Sequence, residues 1–128
     1  MMTTIVLAAF IEGGRVLMAR RAANKQHYRG HWDLVGGHVE ADEPIVATLI
    51  REAREEVGVT PVVFRYLGFF KDSRYETTYH LYEVTDWSGG LPRLIGDEHT
   101  DLAWVALDGA SFVAPLAHPE VMSFLSPA

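Results

Sequence analysis

Three glutamates crowd one short stretch of this sequence: Glu52, Glu55 and Glu56, within Arg51-Glu52-Ala53-Arg54-Glu55-Glu56-Val57-Gly58-Val59. On a helix turning about 100° per residue they fall within roughly a third of the circumference. Like charges three or four residues apart repel by a few tenths of a kcal/mol, so the cluster needs a reason. One is a solvated acidic face, softened by Arg51 and Arg54. The other is a hard divalent cation. Magnesium and manganese take oxygen ligands in octahedral geometry, commonly from carboxylates together with substrate phosphates. Just upstream, Gly36-Gly37 reads as a loop where backbone approaches a ligand closely. A carbonyl there can complete a cation's shell, and Arg51 can fix a glutamate rotamer through a charge-assisted hydrogen bond.

These residues need a scaffold, and the pattern supplies one. Residues 3–11 are apolar and β-branched and predict a strand, Gly13-Gly14 a tight turn, and 15–21 the returning strand. Residues 22–30 are polar and irregular, and 32–35 are extended up to the glycine pair. The clearest helix is predicted over 42–57. Asp42 is placed as its cap, Pro44 lies in the first turn and Gly58 ends it in a left-handed conformation. Val46, Leu49, Ile50, Ala53 and Val57 form its apolar stripe. Strands are expected over 61–70, 75–84 and 102–107, a loop at Ser88-Gly89-Gly90, and a short helix over 118–125. The order is mixed α+β in one domain, 1–128.

Composition narrows the function. The chain has 128 residues, 48% hydrophobic and 22% charged, which suits a globular protein with a real core. A net charge of −6 argues against a surface for duplex nucleic acid. It leaves open a nucleotide that arrives with divalent cations. The absence of cysteine excludes thiolate sites and cysteine nucleophiles and is compatible with the cytoplasm. Residues 1–12 show no signal-peptide pattern, and no stretch approaches the roughly 20 apolar residues of a membrane span.

The segment 37–59 carries a resemblance. It reads Gly-x5-Glu-x7-Arg-Glu-(apolar)-x-Glu-Glu-x-Gly-(apolar), filled by Gly37, Glu43, Arg51, Glu52, Ala53, Glu55, Glu56, Gly58 and Val59. In this it resembles the Nudix hydrolase family. The strand at 16–21, the Trp32-x-Leu34 approach to the glycines and Trp104-Val105 sit where that family has similar elements. The resemblance implies an α/β/α sandwich with the box as a loop–helix–loop. It implies that Glu52, Glu55, Glu56 and the Gly37 carbonyl bind magnesium, with manganese as the alternative ion. Glu52 has a second possible role, orienting or activating water. Arg51 would brace the glutamates and Glu43 would be structural. Glu98, in a later loop, is a candidate base or extra ligand, with a solvated loop acid as the plain alternative. One position departs from the pattern: Val35 stands where many relatives have proline.

The activity so implied is hydrolysis of a diphosphate linkage in a nucleoside diphosphate-X compound. The first expectation is a (deoxy)nucleoside triphosphate cut to a monophosphate and pyrophosphate. ADP-ribose, dinucleoside polyphosphates and nucleotide sugars are the alternatives, and a non-catalytic nucleotide-sensing domain is the rival of another class. Arg20, Arg21, Lys25 and Arg29 are candidates for phosphates. Tyr28, Trp32, Phe70 and Tyr79 are candidates for stacking on a base, each with core packing as the competing role. His31 and His38 flank the glycine pair and are candidate substrate contacts. His27, His80 and His99 are scattered and make no metal set. A monomer or a homodimer is expected.

Overall fold

The computed structural model describes residues 2–125. Its elements in order are β1 (Thr3–Glu12), β2 (Arg15–Arg21), β3 (Trp32–Asp33), β4 (Val35–His38), α1 (Ile45–Val57), β5 (Thr60–Asp72), β6 (Thr77–Ser88), β7 (His99–Ala106) and α2 (Val121–Phe124). The sheet path runs β3-β2-β1-β6-β5, with β4 pairing β1 and β7 pairing β2. β1 and β6 run parallel, and the other named pairs are antiparallel.

β1 is buried from Val6 to Phe10, as a strand covered on both faces should be. Its side chains alternate between two cores. Val6, Ala8 and Phe10 meet Leu49, Ala53 and Val57 of α1, while Leu7 and Ala9 meet Val121 and Leu125 at the C-terminal end. The result is the expected α+β sandwich, with helix on either side of mixed sheet. Among the described residues, no helix is long and apolar enough to cross a membrane.

Four local expectations are corrected. Asp42 does not cap the long helix. Its φ is 62°, and α1 starts at Ile45 behind Pro44. The residue before a proline is disfavoured in the helical region, which keeps Glu43 outside the helix. The Glu43 carboxylate instead accepts from the Glu40 N–H at 3.1 Å and the Thr48 hydroxyl at 2.6 Å. Second, the buried face of α1 is rotated from the predicted stripe. Val46 is exposed, whereas Thr48 and Glu56 are buried beside Leu49, Ala53 and Val57. Third, Gly36-Gly37 is strand rather than loop. Both residues lie in β4, opposite Leu7 and Val6 of β1. The terminal helix shrinks to Val121–Phe124.

Candidate active site

That rotation decides which carboxylates enter the interior. Adjacent residues on a helix diverge by about 100°, so Glu55 and Glu56 cannot both face the sheet. Glu56 does, and Glu52, one turn back, lies beside it at the wall of a cleft of about 260 Å³ between α1, β4 and the 22–31 segment. Glu55 points outward, its side chain 58% exposed, over a shallow groove with Ala47, Ile50 and Arg54.

Glu56 is 5% exposed, and among the described residues neither of its carboxyl oxygens has a hydrogen-bond partner. Burial first, then the neighbouring Glu52 and the charge of Glu98, push its pKa well above the usual carboxylate range, with Lys25 opposing. His99 Nδ1 stands 3.4 Å from Glu56 Oε1. Burial first, then Arg21, holds that imidazole below its ordinary pKa, so it is a poor cation for Glu56. A buried carboxyl with two orphaned oxygens needs either a proton or a positive partner. This donor set suits a hard cation.

The Glu52 carboxylate lies directly against the Gly37 Cα, and a Cβ on Gly37 would overlap it. At Gly36 a Cβ would run into the Val6 carbonyl oxygen. The glycine pair therefore lets β4 sit between β1 and the acidic face of α1. Among the described residues, no group of three or more acidic or histidine side chains converges as a ready-made shell. Glu52, Glu56 and backbone near Gly37 make up the nucleus.

Arg51 organises the wall. Its Nε donates to Glu43 Oε2 at 2.8 Å and its Nη2 to Glu43 Oε1 at 2.9 Å, a two-point pairing. Nη1 reaches Glu52 Oε1 at 2.8 Å and Glu55 Oε2 at 3.3 Å, and Nη2 also meets the His38 carbonyl at 2.9 Å. Arg51 holds the Glu43 carboxyl down to about 2, with help from Thr48.

Of the residues singled out from sequence, Arg21, Tyr28, His38, Tyr79, Gly37, Arg51, Glu52, Glu56 and Glu98 line the cleft. Lys25 does too, with Nζ 3.6 Å from Glu98 Oε1. Glu55, Arg20, His31 and Trp32 do not. Arg20 donates to the Gly30 carbonyl, His31 folds back on the Arg29 carbonyl, and Trp32 packs into the core under α2. Phe70 is stacked on Tyr79, with ring centroids 5.0 Å apart.

The far end of the cleft holds Asp33 and His118, which the sequence reading passed over, with Asp72 behind them. His118, 4% exposed, meets Asp33 Oδ2 through Nδ1 at 3.1 Å and Asp72 Oδ2 through Nε2 at 3.2 Å. The Tyr28 hydroxyl donates to the same Asp72 oxygen. His27 stacks on Tyr75, centroids 3.8 Å apart. No spacing signal could have linked His118 to Asp33, which lies 85 residues away.

A NUDIX domain model matches residues 2–124. The chain belongs to the Nudix hydrolase family. It is therefore an enzyme acting on phosphoric anhydride bonds. It is 36% identical over 113 residues to the nucleoside triphosphatase NudI of Salmonella agona, covering 80% of each chain. NudI of Salmonella typhimurium matches equally, at 36% over 113 residues. Among solved structures, the MutT NUDIX hydrolase from Burkholderia pseudomallei superposes with a TM-score of 0.85 at 28% identity, covering 97% of this chain and 96% of that one. The E. coli ORF135 protein gives 0.70 at 31% identity, covering 85% of this chain and 76% of that one. The Nudix box, 37–59, thus runs from within β4 through α1 to the residue before β5.

Proposed function

We propose that this Nudix hydrolase is a magnesium-dependent pyrophosphohydrolase of (deoxy)nucleoside triphosphates, releasing a nucleoside monophosphate and pyrophosphate. The observation that carries the reading is Glu56, a buried carboxyl whose oxygens lack donors, set beside Glu52 and Gly37 in a cleft that also presents Lys25 and Arg21. The NudI relatives, nucleoside triphosphatases by name, point to the same substrate class.

Glu52, Glu56 and the Gly37 carbonyl would hold the ion, and Glu55 would serve at most from the rim. A bound magnesium ion supplies charge neutralisation of the diphosphate and a water acidified toward neutrality. The protein's own groups do the rest. Lys25 and Arg21 draw the phosphate chain into the cleft. Arg51 keeps Glu52 turned toward Gly37. Glu98, which lines the cleft and pairs with Lys25, would take a proton from the attacking water, which bonds to phosphorus as the anhydride oxygen departs with its electron pair. The nucleotide pool such an enzyme draws on is cytoplasmic. The chain would act as a monomer or a homodimer.

A panel of nucleoside triphosphates, ADP-ribose, dinucleoside polyphosphates and nucleotide sugars with magnesium tests this. Pyrophosphate release from triphosphates is expected, falling at least a hundredfold in Glu56→Gln. Wild-type turnover in Glu56→Gln refutes the assigned role. Tight nucleotide binding without turnover would favour the sensing alternative.

A further inference from the structure

We propose that His118 is a positioning residue: held as an imidazolium between Asp33 and Asp72, it presets the aromatic end of the cleft, and substrate affinity falls when that proton leaves. The inference rests on the reading that a nucleotide occupies this cleft.

Hydrogen-bond counting comes first. Both ring nitrogens of His118 face carboxylate oxygens, at 3.1 and 3.2 Å. A carboxylate only accepts. A neutral imidazole carries one N–H, whereas the imidazolium carries two. Only the protonated ring satisfies Asp33 and Asp72 together. The other carboxylate oxygens are already engaged, Asp33 Oδ1 by the Leu34 N–H at 2.8 Å and Asp72 Oδ1 by the Arg74 N–H at 3.0 Å. Neither aspartate can therefore turn without giving up a second bond.

The network joins four parts of the chain: β3 through Asp33, the end of β5 through Asp72, the 22–31 segment through Tyr28, and the segment before α2 through His118. Tyr28, Tyr79, Asp33 and His118 face the cleft, whereas Asp72 lies behind them. Tyr28 has φ 55°, a left-handed conformation that a tyrosine keeps only when its surroundings hold it. Its restraints include the Asp72 bond and the His118 ring, with centroids 4.8 Å apart, beside edge contacts with His31 and Tyr75 and the His31 N–H donating to its carbonyl. Loss of the Nε2 proton removes one donor from Asp72 and loosens the oxygen that anchors Tyr28.

The charged and titratable groups around His118 are few. Asp33 and Asp72 are the acidic groups that meet its ring nitrogens. The Tyr28 and Tyr79 phenols, raised by burial first and then by the aspartates, stay neutral. Lys71, Arg74 and Glu120 flank His118 in a shallow outer groove. Burial pulls the imidazole pKa down, but the two aspartates outweigh it and hold it above its ordinary value. The hydrogen bonds and ring contacts of His118 go to Asp33, Asp72, Tyr28, Phe70 and Tyr79 rather than to Glu52 or Glu56, so turnover once substrate is bound has no reason to follow its charge.

The experiment compares wild type, Asp72→Asn and His118→Gln, each checked for cooperative melting. KM and kcat for a nucleoside triphosphate with magnesium are measured from pH 6 to 9.5, beside the His118 Cε1–H NMR titration. In wild type, KM is expected to rise at least fivefold across the imidazole midpoint while kcat changes less than twofold. In Asp72→Asn both midpoints move together to lower pH. In His118→Gln, which carries no charge, KM is flat and raised. A KM inflection that stays put in Asp72→Asn while the imidazole midpoint moves overturns the proposal, as does a wild-type imidazole titrating below its ordinary value. If no triphosphate is turned over at any pH, the nucleotide reading has failed by itself. Hydrogen exchange of residues 22–31, corrected for intrinsic rate, then decides the positioning role. Protection lost across the imidazole midpoint supports it, and unchanged protection overturns it.

Discussion

Replacing Arg51 with lysine keeps the charge and removes the fork, and so isolates what the guanidinium does. Three of its bonds reach two glutamates whose side chains are each only 13% exposed: two to Glu43 and one to Glu52. An ammonium is a point donor and cannot bridge both carboxylates in the same geometry. Two well-formed bonds should be lost. Hydrogen bonds to charged groups contribute about 1.5–3 kcal/mol each, and the 26% exposure of the Arg51 side chain argues for the low end. The expected loss is about 2–3 kcal/mol. With an unfolding entropy near 2.1 cal/mol/K per residue, it corresponds to a Tm drop of roughly 7–11 °C. The assay is calorimetric melting at pH 7 in the presence of chelator, which separates the brace from any effect on metal. Turnover with magnesium should fall as well, because Glu52 loses the contact that sets its rotamer. A lysine variant that melts within 2 °C of wild type would refute the view that Arg51 holds the wall together.

Other outcomes follow from the same geometry. The Glu43 carboxyl, held down to about 2 chiefly by Arg51, contributes stability above its ordinary value that is lost as pH falls toward 2; the Tm gap between wild type and Arg51→Lys should narrow over that window. His118 works in the opposite sense: with a raised folded pKa, its contribution is full below about 6.5 and disappears as pH rises through the folded value, so the melting advantage over His118→Gln should shrink toward alkaline pH. Gly36→Ala sets a Cβ against the Val6 carbonyl oxygen, which cannot move aside, and should lower expression of folded protein. Gly37→Ala meets only the end of the Glu52 side chain, so it should fold but lose most turnover. Millimolar magnesium should raise the Tm of wild type by several degrees and that of Glu56→Gln much less, with Glu55→Gln close to wild type.

The parts of this molecule set by neighbours in the chain were readable in advance. The hairpin around Gly13-Gly14, the box helix and its end at Gly58 all follow from local pattern. The parts set by distant partners were not. A glycine pair looks alike in a loop and in a strand pressed between neighbours; only Val6 and Glu52 distinguish the two. Spacing placed Glu52, Glu55 and Glu56 on one arc, but the turn of α1 about its axis depends on which apolar residues the sheet accepts. Leu49, Ala53 and Val57 are buried and Val46 is exposed, which sends Glu56 inward and Glu55 out. The Asp33–His118–Asp72 network joins residues that no short window contains.

β1 must wait for one of its partners. β1 pairs with β2 at once, but its other long edge is matched, in parallel, by β6, with Thr3 opposite Thr77 and Phe10 opposite Val84. On a ribosome the growing chain would carry an apolar, half-zipped ribbon until Val84 had emerged. Such distant pairing slows folding and leaves an edge open to other chains. Nascent-chain aggregation should thus concentrate in the window before β6 appears, and a chaperone that shields residues 5–10 would act there.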